Sequence, residues 1–234
     1  MRHKKYEFEE IILDPLNVLQ SDDVFSLLPL DRINQLTQAA RVEDYRTPIL
    51  LESRGTFAEY LWFVVAGSVD LTLYSKEGGI ARLPITQGHW ATWAAVFGSK
   101  PLEFDFWSAK STTLIAFPKA EVITAVHDQP KVMLKILEQV SENATLLNTW
   151  ILTATILTAE QRLAHLLLIL SSRQHTSVTK GLKVTREHLG MVGLGTRQRV
   201  SRLLGKLVQQ GVIMIENGQI VISSRERLEK LALI

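Results

Sequence analysis

The segment from residue 182 to residue 222 most constrains how this chain can fold. Its first part predicts a helix capped by Thr185 that buries Leu189 and Val192. The glycines of Gly193-Leu194-Gly195 then favour a tight turn before a second helix. Two short helices joined in this way predict a helix-turn-helix.

The second helix of this motif is amphipathic and is followed by a hairpin. Thr196 suits its N-cap and Gly211 its C-terminal glycine. The inward face is apolar and comprises Val200, Leu203, Leu204 and Leu207. After the helix, Asn217-Gly218 between two alternating apolar runs indicates a tight hairpin. The segment therefore predicts a winged helix-turn-helix.

The outward face of the second helix has the chemistry that base recognition requires. An Arg donates two hydrogen bonds to guanine, and a Gln both donates to and accepts from adenine. A capped helix N-terminus also favours a nearby phosphate. We expect double-stranded DNA to contact Thr185, Arg186, Thr196, Arg197, Gln198, Arg199, Ser201, Arg202 and Lys206. A small helical domain with a merely solvated basic face is the alternative, but caps, turn and hairpin together favour DNA.

The charge distribution agrees with a nucleic-acid partner for one end of the chain. Residues 158–234 hold 12 Lys and Arg against 5 Asp and Glu, whereas residues 1–157 hold 14 against 19. A basic module joined to an acidic one indicates a polyanion partner for the basic part. We place the domain boundary before Thr158-Ala-Glu-Gln161, a capping box that opens a new helix.

The first part of the chain combines helical and β patterns. The segment Ser21–Arg41 has helical spacing, and from about residue 45 to residue 118 short β-rich runs alternate with glycine turns. These runs are Ile49–Leu51, Leu61–Val65, Val69–Tyr74, Ala81–Ile85 and Thr113–Phe117. Their spacing predicts an antiparallel sandwich or barrel. The expected fold class is α+β, with a jelly-roll-like antiparallel β-roll at the N-terminal end.

A long dimerisation helix is expected at about residues 120–157. Its apolar seam advances in alternating steps of four and three residues: Met133, Leu137, Val140, Ala144, Leu147, Ile151 and Ala154. Such a seam is suited to packing along a second long helix, so we expect a homodimer. Packing of this helix on the chain's own sheet is the alternative.

Six aromatic residues fall within 18 positions after Gly88: Trp90, Trp93, Phe97, Phe104, Phe106 and Trp107. They could line a pocket for an apolar or planar effector that stacks on the rings. They could equally fill their own core and leave a regulator without a ligand, which is the interpretation we favour.

The sequence gives little support for catalysis or metal binding. It contains no cysteine, His89 and His127 are isolated, and there is no His-x-His followed by Glu to hold a metal. No Ser/His/Asp array, phosphate loop or carboxylate pair is present. We therefore expect no enzyme, metal or cofactor. Without a leader or a long apolar stretch, we expect a cytoplasmic protein that makes no membrane contact.

Three segments resemble the Crp/Fnr family of bacterial regulators, and the resemblance covers roughly residues 20–234. Thr196-Arg-Gln-Arg-Val-Ser-Arg202 resembles the family's recognition helix, although Gln198 replaces the usual Glu. Thr158–Ala164 is similar to its domain opening, and Leu61–Val69 to its β-roll motif. The resemblance implies a cyclic-nucleotide-binding-type β-roll, a dimer helix and a winged helix. It also implies a homodimeric transcription regulator with a pseudo-palindromic operator and RNA polymerase as partner.

The resemblance fails at the site where nucleotide-binding members grip their ligand. Those members use a Gly-Glu-x-Ala segment and a downstream Arg-Ser for the ribose and the cyclic phosphate. Here Trp93 stands at the Glu position, and Leu102 or Glu103 at the Arg position. Neither residue replaces a guanidinium against a phosphate, so we expect no response to cyclic AMP and leave the effector unknown. The alternative function is a β-roll that senses an effector or partner without acting through DNA, but that function needs no exposed arginine pair.

Overall fold

The computed structural model describes residues 14–172, 181–182, 184, 186–190 and 194–232. The chain divides into two compact units, Met1–Ala144 and Thr145–Ile234. This division falls inside one continuous helix, whereas the sequence placed the boundary after that helix, at residue 158.

The described part of the first unit begins with α1 (Pro15–Ser21), a 3₁₀ turn (Phe25–Leu27) and α2 (Leu30–Ala39). The prediction of helical structure across Ser21–Arg41 is correct only from Leu30. The chain bends before that point because the Asp22 carboxylate accepts hydrogen bonds from the backbone N–H groups of Val24 and Phe25, at 2.8 and 2.9 Å.

The strands described before residue 119 form two four-stranded antiparallel sheets. Their bounds are β1 Arg41–Tyr45, β2 Leu50–Glu52, β3 Tyr60–Ala66, β4 Ser68–Tyr74, β5 Ile80–Thr86, β6 Trp90–Ala91, β7 Asp105–Ser108 and β8 Thr112–Pro118. One sheet has the order β1-β8-β3-β6 and the other β2-β7-β4-β5. A short helix, α3 (Trp93–Phe97), lies between β6 and β7. The predicted antiparallel β-roll is therefore confirmed. The sequence missed β1, β6 and β7.

The core of the first unit lies between these sheets and the helices packed on them. Its fully buried side chains include Leu61, Val64, Val69, Leu114, Ile115 and Phe117. Gly67 joins β3 to β4 with a φ of +81°, and a Cβ there would lie 2.4 Å from the Thr112 Oγ1. The glycine of the Leu61–Val69 motif is therefore required by the close approach of this turn to Thr112, at the start of β8.

Two helices, rather than one, follow the sheets, which corrects the predicted span of 120–157. They are α4 (Lys119–Val126) and α5 (Pro130–Ile156). Pro130 opens α5 because a proline is well accommodated in the first turn of a helix, where no intrahelical N–H bond is needed. Val132 and Ile136 of α5 are buried against the core of the first unit.

The second unit adds helices and a hairpin around a core of its own. They are α6 Ala159–Ser172, α7 Arg186–Leu189, α8 Arg197–Gln209, β9 Ile213–Glu216, β10 Gln219–Ile222 and α9 Arg225–Ala232. This agrees with the predicted winged helix-turn-helix, and α9 is an addition that the sequence analysis missed. Within the described residues, no helix combines the length and apolar character needed to cross a bilayer.

Candidate nucleic-acid interface

The turn between α7 and α8 depends on two glycines. A Cβ on Gly190 would lie 2.4 Å from the carbonyl oxygen of Gly195, so the two backbone segments touch. Leu189 and Leu194 are fully buried beside them. Thr185, Val192 and Gly193, which were predicted as cap, core and turn residues, lie outside the described residues. Arg186 is the first residue of α7 and is exposed.

The helix α8 begins as predicted. Thr196 is its N-cap, with extended backbone geometry, and its hydroxyl accepts a hydrogen bond from the backbone N–H of Arg199 at 3.2 Å. The predicted inward face is also confirmed, since its four apolar side chains are buried: Val200, Leu203, Leu204 and Leu207. Gly211, with a φ of +66°, follows the helix and turns the chain towards β9.

The outward face of α8 consists of exposed polar and basic side chains. They are Arg197, Gln198, Arg199, Ser201 and Arg202. Within the described part of the chain, none of these side chains is hydrogen-bonded or ion-paired to another residue, and the Arg199 side chain lies against Gly195. Their donors are therefore available to an external partner.

Lys206 differs from these residues, although the sequence grouped it with them. Its ammonium forms an ion pair with the Glu160 Oε2 at 3.2 Å. The other carboxylate oxygen of Glu160 accepts a hydrogen bond from the Gln210 side chain at 2.9 Å. The hydrogen bond from Gln210 and the ammonium of Lys206 together lower the pKa of Glu160, which is therefore a carboxylate at neutral pH.

The hairpin after α8 has the predicted turn. Asn217 and Gly218 both have positive φ, +49° and +77°, and connect Glu216 to its cross-strand partner Gln219. The backbone of Leu182 hydrogen-bonds to that of Ile220 in both directions, which ties the segment before α7 to the hairpin. The sequence contained no signal for this contact.

Helix α9 packs in the core of the second unit together with α6. Leu228 and Ala232 are fully buried in the core that also contains Leu163 and Leu167 of α6. The Arg227 Nη1 donates to the carbonyl oxygen of Gln210 at 3.4 Å, at the end of α8. A capping serine at Ser224 and helical spacing were present in the sequence and could have predicted this helix.

The model of the Crp-like helix-turn-helix domain matches residues 161–231. These residues belong to the Crp-like helix-turn-helix family. A search of curated proteins finds no match to the sequence.

Solved structures extend the likeness beyond the Crp-like domain. FixK2 from Bradyrhizobium japonicum is 22% identical, with a TM-score of 0.69 over 82% of this chain and 96% of its own. A Crp/Fnr-family transcriptional regulator from Eubacterium rectale is 19% identical, with a TM-score of 0.59 over 91% and 99%. The c-di-GMP-responsive regulator CLP of Xanthomonas campestris is 18% identical, with a TM-score of 0.60 over 84% and 100%. The Crp/Fnr-like fold expected from the sequence is therefore confirmed.

The β-roll that precedes the Crp-like domain divides the six predicted pocket aromatics into two groups. Trp90, Trp93 and Phe97 form one cluster, with ring centroids 6.2 Å apart for the two tryptophans and 5.2 Å apart for Trp93 and Phe97. Phe25 packs on both tryptophans at 5.0 and 5.7 Å, and Phe63 and Phe117 pack on Trp90. The neighbours of this cluster are therefore other aromatic rings of the same chain.

The remaining three aromatics lie elsewhere. Phe106 and Trp107 belong to β7 in the second sheet, where Phe106 is buried and Trp107 half-buried. Phe104 lies just before this strand and is exposed. The structure therefore does not bring all six aromatic residues together into one pocket.

A hydrogen bond fixes the aromatic cluster to the N-terminal segment. The Trp90 indole N–H donates to the Asp22 Oδ2 at 2.7 Å, and the two residues are 68 positions apart in the sequence. Beside it, Thr92 has a φ of +65°, and its hydroxyl donates to the carbonyl oxygen of Tyr60. Among the described residues, no group of three or more His, Asp and Glu side chains is placed to hold a metal ion.

Proposed function

We propose that this chain is a sequence-specific DNA-binding transcription regulator of the Crp/Fnr type that acts as a homodimer. The observation that carries the proposal is the outward face of α8, where exposed arginines and Gln198 have no partner among the described residues. A recognition helix places such side chains in the major groove, and the hairpin lies beside it as a wing. A β-roll that sensed a ligand without DNA would not need this surface.

Arg202→Ala is expected to weaken binding to the cognate site by about 1–3 kcal/mol and to relax specificity at one base pair. The reason is that Arg202 lies on the outward face, where its donors have no partner in the described part of the chain. Fluorescence anisotropy on the cognate duplex and on its single-base variants measures both effects. Arg225→Ala is the matched control, since Arg225 is an exposed arginine of the same unit that pairs with Glu229. An equal loss on every sequence would assign Arg202 to phosphate contact alone.

The homodimer proposal is supported by the seam of α5. Five of its side chains are between 37 and 62% exposed: Met133, Leu137, Val140, Leu147 and Ile151. Ala144 and Ala154 are exposed as well. A stripe of exposed apolar residues along a helix is expected to bury itself against a partner. A twofold dimer would then present two recognition helices to pseudo-palindromic half-sites roughly 34 Å apart.

We further propose that cyclic AMP does not control this protein and that the cluster around Trp93 is core rather than effector pocket. Trp93 is only 9% exposed and packs between Phe25 and Phe97. Leu102 is buried, and Glu103 is exposed and acidic. A cyclic phosphate that loses its water needs a positioned cation or several aimed N–H donors. These three residues supply no cation, and the one N–H among their side chains, the indole N–H of Trp93, is buried.

Calorimetric titration with cyclic AMP and cyclic GMP is expected to give no heat of binding, and neither nucleotide should change DNA affinity. A nucleotide-binding Crp-type regulator is the positive control. Cyclic di-GMP belongs in the same series because CLP is described as responsive to it. Micromolar binding of cyclic AMP with tighter DNA binding would contradict the proposal and would point to another cation, such as Arg82.

A regulator of this type acts on transcription through RNA polymerase, which we propose as the protein partner of this chain. The proposed target is chromosomal DNA, so the proposed location is the bacterial cytoplasm. We also propose that residues 1–157 form the sensor domain with the dimer helix and that residues 158–234 form the DNA-binding domain.

A further inference from the structure

We propose that Glu160 is a positioning residue of the DNA-binding surface, which anchors the last turn of α8 and withdraws the charge of Lys206 from DNA. The proposal rests on the proposed function, because it concerns how the same recognition helix contacts DNA. It is carried by the two side-chain contacts of Glu160 with Lys206 and Gln210.

Glu160 is held in place by the start of its own helix. The Thr158 backbone N–H donates to the Gln161 Oε1 at 2.9 Å, and the Gln161 backbone N–H donates to the Thr158 hydroxyl at 3.3 Å. This capping box fixes the first turn of α6, where a carboxylate is also favoured by the helix dipole. The Glu160 side chain is 19% exposed, against 61% for Lys206. The carboxylate is therefore the fixed member of the pair.

Both carboxylate oxygens reach the end of α8. One accepts from Lys206, in the last turn, and the other from Gln210, the C-cap residue. The carbonyl oxygen of Gln210 accepts from Arg227 of α9 at 3.4 Å. The C-terminal end of the recognition helix is therefore held from α6 and from α9 together, while its N-terminal turn remains exposed.

The ion pair also separates Lys206 from the other cations of α8. Residues four positions apart share a helix face, so Lys206 lies one turn beyond Arg202 and would extend the basic surface if it were unpaired. A free lysine there would add a phosphate contact, which strengthens binding to every sequence alike. By neutralising Lys206, Glu160 lowers sequence-independent affinity and leaves discrimination to the residues that face the bases.

The test compares Glu160→Ala with wild-type full-length protein on cognate and random duplexes across a salt series. We expect the slope of log affinity against log salt on random DNA to steepen by about one per recognition helix. Affinity for cognate and for random duplexes should rise together, roughly threefold for each added contact at the low-salt end, so that their ratio stays unchanged. Glu226→Ala is the matched control, because it removes a carboxylate that pairs with Lys230 in the same unit and so changes the net charge equally.

Lys206→Met, made both in the wild type and in Glu160→Ala, distinguishes release of the Lys206 charge from loosening of α8. It should lower the salt slope far more in Glu160→Ala than in the wild type, since only in Glu160→Ala is Lys206 free to reach a phosphate.

Glu160→Gln is a second variant that keeps an acceptor for Gln210, and it tests the inference if Glu160→Ala folds poorly. It should also steepen the salt slope on random DNA. Normal DNA binding with an unaltered slope in both Glu160 variants would overturn the inference alone. A wild-type chain that binds no duplex at any salt would overturn the proposed function and this inference with it.

Discussion

Leu147→Asp is expected to convert the proposed homodimer into monomers. Leu147 is 57% exposed in the single chain and lies in the middle of the α5 seam. In a dimer it would be buried against the partner helix, where an unpaired carboxylate costs several kcal/mol. Sedimentation equilibrium should therefore give the mass of one chain. Because the two recognition helices would lose their linkage, affinity for a two-half-site operator should fall on the order of 100-fold or more.

The matched control for this variant is Asn148→Asp. It adds the same charge to the same helix one residue further on, at an exposed position outside the seam. The control should stay dimeric and bind the operator nearly as the wild type does. Circular dichroism of both variants confirms that α5 is intact. An unchanged dimer in Leu147→Asp would show that the seam is not the interface and would favour packing within one chain.

The winged helix-turn-helix could be predicted from the sequence because its signals are local. The cap at Thr196, the apolar face of α8 and the Asn217-Gly218 turn each involve residues within one helix or hairpin. Each of these preferences acts over a few residues, so the sequence near it contains the information. The same holds for the capping box at Thr158, which α6 uses as predicted.

What the sequence could not reveal are contacts between distant positions. The bond between Trp90 and Asp22 and the ion pair between Glu160 and Lys206 span 68 and 46 positions. Strand β1 was not predicted from the sequence for a related reason. Its side chains are largely exposed, and its position depends on pairing with β8. Pairing partners of this kind are chosen by the whole fold, whereas residue patterns report only the local preference.

The aromatic set shows where composition misleads. Six rings within 18 residues suggested one pocket, but Phe106 and Trp107 are neighbours on a strand, so their side chains point to opposite faces of the sheet. Trp93 lies in the short helix α3, before β7, and packs on Phe25 of the N-terminal segment. Rings that are close in the sequence therefore do not share one pocket in the fold.

The second large effect is expected from a buried carboxylate that the sequence analysis did not notice. Glu52, at the end of β2, is 5% exposed. Its Oε1 accepts hydrogen bonds from the backbone N–H groups of Tyr60 and Glu59 at 3.0 and 3.2 Å, and from the Trp62 indole at 3.3 Å. Glu52 therefore holds the start of β3 to the end of β2 inside the β-roll.

Glu52→Ala should lower the free energy of unfolding of the β-roll by about 3–5 kcal/mol, because three donors lose their acceptor and each unsatisfied buried group costs about 1–3 kcal/mol. Urea unfolding followed by tryptophan fluorescence measures this loss. Glu52→Gln keeps an acceptor oxygen in the same place and should recover most of the stability. A Glu52→Ala variant within 1 kcal/mol of the wild type, or one no worse than Glu52→Gln, would refute the role assigned to these bonds.

The pH dependence of the same pair of variants separates the charge of Glu52 from its hydrogen bonds. Burial raises the pKa of Glu52 above its ordinary value, despite the hydrogen bonds to its carboxylate from Tyr60, Glu59 and Trp62. The folded chain therefore holds this proton more tightly than the unfolded chain does. The resulting stability is fully present below the ordinary glutamate pKa and is lost as the pH rises through the raised pKa. Glu52→Gln cannot titrate here, so its stability relative to the wild type should increase over that interval and level off above it.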